Sequence, residues 1–222
     1  RLKTECSKNS EKRPLRLDLR GITLFHEDLS NLDFSGYDFS YANLSRSNLT
    51  GTVFTDQDFS GTNLTGVNFT NSLLLNVKSG NIVAAPVLPI FPDVTFSLRG
   101  GYIIGPGVDL SNSDLSGIDL SNATITNANM LNSGLVNVRS GGVKGTTPLL
   151  RPTYMQRNGY IIGTGVDLSG ADLSGQNLAN AYFTNANITN AVFTNGILTA
   201  VRSGGTMRYN AATIAKLPAK YT

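Results

Sequence analysis

The chain has 222 residues, 40% of them hydrophobic and 15% charged, with a formal net charge of +3, one Cys, one His and no Trp. A lone Cys6 excludes an internal disulfide framework, and with only His26 to help it cannot build a zinc cluster. No apolar run reaches the roughly 18 residues of a membrane-spanning helix.

In chain order, residues 1–18 read as a basic N-terminal arm. From residue 19 to 77 the apolar residues fall into a register of five: Leu19, Leu24, Leu29, Phe34, Phe39, Leu44, Leu49, Phe54, Phe59, Leu64, Phe69, Leu74. A Pro-containing insert at 78–107 follows, with Pro86, Pro89 and Pro92. The register then resumes over 108–138 (Leu110, Leu115, Leu120, Ile125, Met130, Leu135). A second insert at 139–165 carries Pro148 and Pro152, and the third block, 166–201, runs Leu168, Leu173, Leu178, Phe183, Ile188, Phe193, Leu198. Residues 202–222 read as a tail, the start of a further insert, so a longer protein is the expectation.

Five is neither the helical period of 3.6 nor the strand period of 2. It fits a very short extended piece plus a turn. The Leu or Phe centre and the small residue two before it (Ala42, Ser47, Ala123, Ala171) then point inward together. Asn, Asp, Ser, Thr and Gly suit the turn, because their side chains bond nearby backbone or tolerate unusual dihedrals. A chain that turns at every pentad coils, and stacked coils can pair backbone above and below. Glu27, Leu32, Tyr37, Gln57 and Gln176 depart from the small-residue preference. Glu27 should not be buried unpaired, so its pentad is expected to be frayed or partnered.

These pentads, such as Ala171-Asp172-Leu173-Ser174-Gly175 and Tyr41-Ala42-Asn43-Leu44-Ser45, resemble the pentapeptide-repeat proteins. The resemblance implies an all-β fold: a right-handed quadrilateral β-helix solenoid, about one pentad per face, here with extended loop inserts. Blocks separated by Pro-containing inserts resemble long proteins encoded by large viruses of algae and by marine microbes.

A longer repeat overlies the pentads. The blocks end in Asn76-Val77-Lys78-Ser79-Gly80, Asn137-Val138-Arg139-Ser140-Gly141 and Ala200-Val201-Arg202-Ser203-Gly204. Blocks two and three are entered through Gly101-Tyr102-Ile103-Ile104-Gly105-Pro106-Gly107-Val108-Asp109 and Gly159-Tyr160-Ile161-Ile162-Gly163-Thr164-Gly165-Val166-Asp167. No helical pattern follows either glycine-rich run, so neither reads as a phosphate cradle; both are expected to bring the chain back into the coil at Ile103 and Ile161.

Charge is segregated. Residues 1–20 carry +4, 21–77 carry −5, and the later blocks −3 and −2, while the inserts carry +1 and +4 and the tail +4. Acidic coils therefore bear basic attachments. Basic loops can balance acidic repeat grammar, or they can meet an acidic partner surface.

No catalytic, cofactor or metal site is expected, since a solid-cored coil offers His26 no pocket. Six Asn-x-Ser/Thr triplets follow from pentad grammar rather than from glycosylation. The candidate partner-contact residues are Lys12, Arg13 and Arg16 in the arm, Ile82, Val83, Val87, Leu88, Ile90 and Phe91 in the apolar part of the first insert, and Lys144, Arg151 and Arg157 in the second. The apolar stretch either packs back on the solenoid or docks on a partner. The expected function is structural: a rigid β-helical rod whose loops and arm contact other proteins of a larger assembly, copies of itself included, with a virion as the leading setting. The alternatives are a DNA-mimicking protein that protects gyrase, which the family resemblance allows, and an accessory subunit of an organellar or photosynthetic complex. Nucleic acid is disfavoured as a partner, because no stacking aromatics interleave with the basic residues. No small-molecule substrate is expected.

Overall fold

The computed structural model describes residues 18–83, 86–92, 94–146 and 148–204. No described residue is helical. The described residues up to Leu110, with Thr124–Asn129 and Gly145–Pro148, form one compact unit. Ser111–Ala123, Met130–Lys144 and the described residues from Leu149 onward form a second.

In the first unit the residue before each centre pairs in parallel with the residue twenty positions on: Asp18 with Asp38, Asp38 with Asp58, Thr23 with Asn43, Asp28 with Asn48. Four pentads thus separate successive rungs of a column. Each pentad hands over its backbone donors in a fixed way. The centre donates to the next coil (Leu24 N–H to Asn43 O, 2.8 Å), and so does the corner residue (His26 N–H to Ser45 O, 3.0 Å). The small residue bends back onto the preceding centre (Ala42 N–H to Phe39 O, 3.0 Å). The corner is closed by an Asp or Asn whose Oδ1 accepts from the backbone N–H, and often the hydroxyl, of the residue two ahead, as in Asp38–Ser40 and Asn43–Ser45. Two pentads extend into three-residue strands, β1 (Val53–Thr55) and β2 (Leu73–Leu75), paired in parallel.

The centres form the core. Phe34, Phe54 and Phe59 are 0% exposed. Rings stack up the columns (Phe34–Phe54, 5.7 Å, 20°; Phe39–Phe59, 6.2 Å, 12°) and meet edge to face between neighbouring columns (Phe34–Phe39, 5.2 Å, 86°). Polar residues at the inward small position are satisfied across coils. Thr62 Oγ1 donates to Phe39 O at 2.9 Å and Ser72 Oγ to Leu49 O at 2.6 Å. Gln57 uses its Nε2 on Phe34 O in the same manner, leaving Oε1 buried without a partner among the described residues. Tyr37 is buried edge-on to Phe34, whereas Glu27 is exposed and needs no buried counter-ion.

Val83 and Val87 still pair with Asn63 and Asn68, so the ladder runs past residue 78. The chain then forms β3 (Ile90–Phe91) and β4 (Val94–Thr95), antiparallel, and a hairpin of β5 (Ser97–Arg99) with β6 (Tyr102–Ile104). The second unit repeats the hairpin as β7 (Tyr154–Arg157) and β8 (Tyr160–Gly163). Both turn on two residues with positive φ, Gly100-Gly101 (55° and 81°) and Asn158-Gly159 (48° and 76°). Such a pair matches the twist of the flanking strands. An aromatic ring covers a glycine at the end of the second strand in each: Phe96 over Gly105, just past β6, and Tyr154 over Gly163, the last residue of β8. The second unit's core comprises Ile162, Val166, Leu168, Leu173, Leu178, Phe183, Phe193 and their neighbours.

Candidate interaction surface

The duplicated sequence motifs meet each other, once in each unit. In the first, Lys78 pairs with Asp109 across 31 residues rather than twenty. Asp109 N–H donates to Val77 O (2.9 Å), Asn76 N–H to Gly107 O (2.7 Å) and Ile82 N–H to Gly101 O (3.1 Å). Ser79 Oγ accepts from Ile103 N–H at 2.9 Å, and Lys78 Nζ lies 3.7 Å from the Asp109 carboxylate. The second unit reproduces each contact. Asp167 N–H bonds Val138 O (2.8 Å), Asn137 N–H bonds Gly165 O (2.7 Å) and Val143 N–H bonds Gly159 O (3.0 Å). Ser140 Oγ accepts from Ile161 N–H at 2.9 Å, and Arg139 reaches Asp167 at 3.1 Å. Tyr102 and Tyr160 lie over Gly80 and Gly141, where a Cβ would sit 3.1 and 3.4 Å from the ring. The Val-Lys/Arg-Ser-Gly run is thus a socket, and the Gly-Tyr-Ile-Ile-Gly-x-Gly-Val-Asp run is the segment that fills it. The ion pair is half-exposed and worth at most about 1 kcal/mol. The buried serine bond and the ladder bonds supply the register.

Of the sequence-derived contact candidates, Lys12, Arg13 and Arg16 lie outside the described residues. Ile82 is in the core at 7% exposure, held there by its bond to Gly101. Its neighbours Val83, Val87, Ile90 and Phe91 face outward, Ile90 at 79% exposure, and Leu88 is half-buried. Lys144, Arg151 and Arg157 are exposed on the second unit. Arg151 donates to Asn132 Oδ1 (3.2 Å) and Arg157 to the Asn177 carbonyl (3.3 Å), so both also tie their loop to the coil. Ser79, Ser140 and the two hairpins were not singled out from sequence. Asn158-Gly159 between Tyr-Met-Gln-Arg and Tyr-Ile-Ile-Gly is the signal for the second hairpin.

The acids have local partners. The Arg20 side chain beside Asp18 holds its carboxyl down at about 2. Ser116 and Ser174 lower Asp114 and Asp172 through their hydrogen bonds. Burial alone would raise Asp167, but bonds from Ser169 and Arg139 outweigh it and the net shift is downward. His26 is exposed at a pentad corner with φ 60°. Among the described residues no three of His, Cys, Asp and Glu are grouped to hold a metal ion.

A parallel ladder with one turn per pentad defines a β-helical solenoid. The pentapeptide-repeat family model matches residues 18–56, 38–76, 107–139 and 164–202, more than half of the sequence, and the chain belongs to that family. No curated protein sequence matches it. Similar solved structures include HetL from the cyanobacterium Nostoc sp. strain PCC 7120, a pentapeptide repeat protein involved in heterocyst differentiation regulation (20% identity, 93% of this chain and 97% of that chain, TM-score 0.26). Another is a pentapeptide repeat protein from the Arabidopsis thaliana thylakoid lumen (20% identity, 57% and 70%, TM-score 0.27). A third is QnrB1, a plasmid-mediated fluoroquinolone resistance protein (16% identity, 89% and 93%, TM-score 0.26).

Proposed function

We propose that the chain is a non-enzymatic structural element: a right-handed, four-sided β-helical scaffold whose basic loops and N-terminal arm, with the outward residues of 83–91, contact neighbours in a larger assembly such as a virus particle. The observation that carries this reading is the twice-built socket. In each unit the ladder closes over an excursion of the chain, through Lys78–Asp109 and Arg139–Asp167, and so holds that excursion at a fixed place on a rigid frame. Val83, Val87, Ile90 and Phe91 stay exposed beside one such junction, as a contact surface would require. The test is assembly of the native protein with Ile90→Asp and Phe91→Asp, read by sedimentation of particles or complexes and by circular dichroism. Lost assembly with unchanged β-structure is expected. Intact assembly with both variants would overturn the reading.

The gyrase-protecting alternative has one favourable observation, the column of Asp18, Asp38 and Asp58. A DNA mimic needs such an acidic column to continue, yet Lys78 takes the next rung, and in the second unit Arg139 follows Asp119 in the same way. A supercoiling assay in which the chain protects or inhibits gyrase would reverse this order.

A further inference from the structure

The sequence has two Asn-Gly steps, Asn158-Gly159 and Asn195-Gly196. Both asparagines are exposed and both are left-handed, at φ 48° and 59°. The peptide planes that follow them are held differently. Asn195 closes a coil corner: Gly196 N–H donates to Phe193 O at 2.9 Å, and Gly196 packs inward beside the carbonyls of Phe193, Gln176 and Leu173. The corners at Asn180, Asn185 and Asn190 tie the next N–H to the preceding centre in the same way (Ala181 to Leu178 O, Ala186 to Phe183 O, Ala191 to Ile188 O). Asn158 instead opens the two-residue turn between β7 and β8. The closing pair of that ladder is Arg157 with Tyr160, so the plane joining Asn158 to Gly159 lies outside it. Among the described residues neither Asn158 O nor Gly159 N–H has a hydrogen-bond partner. The turn is anchored elsewhere: Asn158 Nδ2 donates to Asp172 O at 3.0 Å, and Gly159 O accepts from Val143 N–H at 3.0 Å.

We propose that Asn158 is a site of covalent modification, an intramolecular deamidation that loosens the second hairpin with age and spares the first. Gly159 N, stripped of its proton by hydroxide, attacks Asn158 Cγ. The Cγ–Nδ2 bond breaks, ammonia leaves and a succinimide ring remains. Water then opens the ring at either carbonyl, giving aspartate or isoaspartate. Closing the ring turns ψ of Asn158 to about −120°, the value at the first central position of a type II′ turn. The turn as it stands has positive φ at both central residues, the type I′ pattern. Passing from one type to the other only turns the 158–159 plane over. Asn158 already has the positive φ that both types share, and Gly159 has no Cβ to oppose a change of sign in its own φ. The strands stay paired, because both turns fit a two-residue hairpin. The same rotation at Asn195 breaks the Gly196 bond inside a packed corner. Either product replaces the Nδ2 donor with a carboxylate oxygen facing Asp172 O, and isoaspartate adds one backbone atom to the turn. Arg157 and Tyr160, whose ring lies over Gly141, then lose their register. The first hairpin turns on Gly100-Gly101 and has no amide side chain to react.

This goes beyond the scaffold reading and does not rest on it. The test ages the full chain in mildly alkaline buffer and follows both Asn-Gly steps by peptide mapping, with aspartate and isoaspartate products separated by chromatography. Conversion at Asn158 is expected to outpace that at Asn195 by roughly two- to ten-fold, the factor that one hydrogen bond is worth. It should quicken as pH rises, since the deprotonated nitrogen attacks. In concentrated urea the two rates should converge, which assigns the difference to the fold. Equal conversion in the folded chain, or faster conversion at Asn195, overturns the proposal. So does an Asn158 that stays intact while the urea-unfolded chain is converted. Hydrogen exchange of the converted chain reads the consequence: β7 and β8 should lose protection while β5 and β6 keep theirs, and unchanged protection of β7 and β8 overturns the loosening.

Discussion

Each pentad places one residue in the left-handed region, two positions beyond its centre, and the choice of that residue sets part of the stability. Asn is the commonest residue at these corners and Gly the next, because a short amide or a missing Cβ relieves the steric cost. His26, Tyr41, Arg46 and Ala200 are the misfits, at φ 60°, 60°, 61° and 53°. Tyr41 and Arg46 recover something. The Tyr41 ring fills the space over Gly61, and Arg46 lies 5.9 Å from the centre of the Phe25 ring. No such compensation is visible at Ala200. Ala200→Gly is therefore expected to stabilise by about 0.5–1 kcal/mol, seen as a higher urea midpoint. The reverse change separates backbone from packing. Gly117→Ala, with open space around it, should cost about 1 kcal/mol from conformation alone. Gly61→Ala should cost more, because its Cβ would lie 2.6 Å from the Tyr41 ring. Equal costs at the two positions would show that the ring simply moves aside.

At the scale of the element, the rungs are one residue long and gain little from strand pairing alone, so the aromatic columns carry the first unit. Phe54 touches Phe34, Phe39, Phe59 and Phe69. Phe54→Ala is expected to cost about 3–5 kcal/mol, measured by urea unfolding, with protection from hydrogen exchange lost first at the rungs above and below. The hairpins depend on their turns instead. A Cβ on Gly159 would come within 2.9 Å of Gly142 N, at a φ of 76°, so Gly159→Ala should release β7 and β8 to exchange before the coil itself opens. The centres and the inward small residues were legible in the sequence because burial repeats with the pentad: Leu44 and Leu173 are 0% exposed, Ala42 and Ala171 1%. The corner was legible as a turn, but not which residue takes positive φ, although Asn or Gly at that place in nearly every pentad is the mark of it. The sockets were visible as repeated words without meaning. What joins Ser140 to Ile161, 21 residues away, is a hairpin, and its two-residue turn is a local signal overshadowed by the glycines around it. Ile82 reads as apolar surface in sequence because it follows the last regular pentad; it is core because the ladder runs on past that pentad to Val87.

For the molecule as a whole, the net charge of +3 conceals acidic coils and basic attachments, and pH should act mainly through the coils. Asp18, Asp114, Asp167 and Asp172 are all held below their ordinary value, Asp18 at about 2. A carboxylate with a lowered native pKa favours the fold while it is ionised. Its contribution is complete above the unfolded value of about 3.9. It shrinks as the unfolded chain takes up protons, and it is gone once pH passes below the native value. Stability should therefore be level from about pH 5 upward and fall between about pH 4 and 2, where 18 Lys and Arg side chains remain charged and repel one another. Urea midpoints at pH 7, 4 and 2.5 measure this. The family grammar supplies the control, since Asn occupies the same place in other pentads and its Oδ1 accepts from Thr189 N–H as Asp172 Oδ1 accepts from Ser174 N–H. Asp114→Asn with Asp172→Asn keeps the turn but removes two titrating groups. The double variant should match the parent at pH 7 and lose less of its midpoint on acidification. An acid limb as steep as the parent's would place the sensitivity in general charge repulsion rather than in the turn carboxylates.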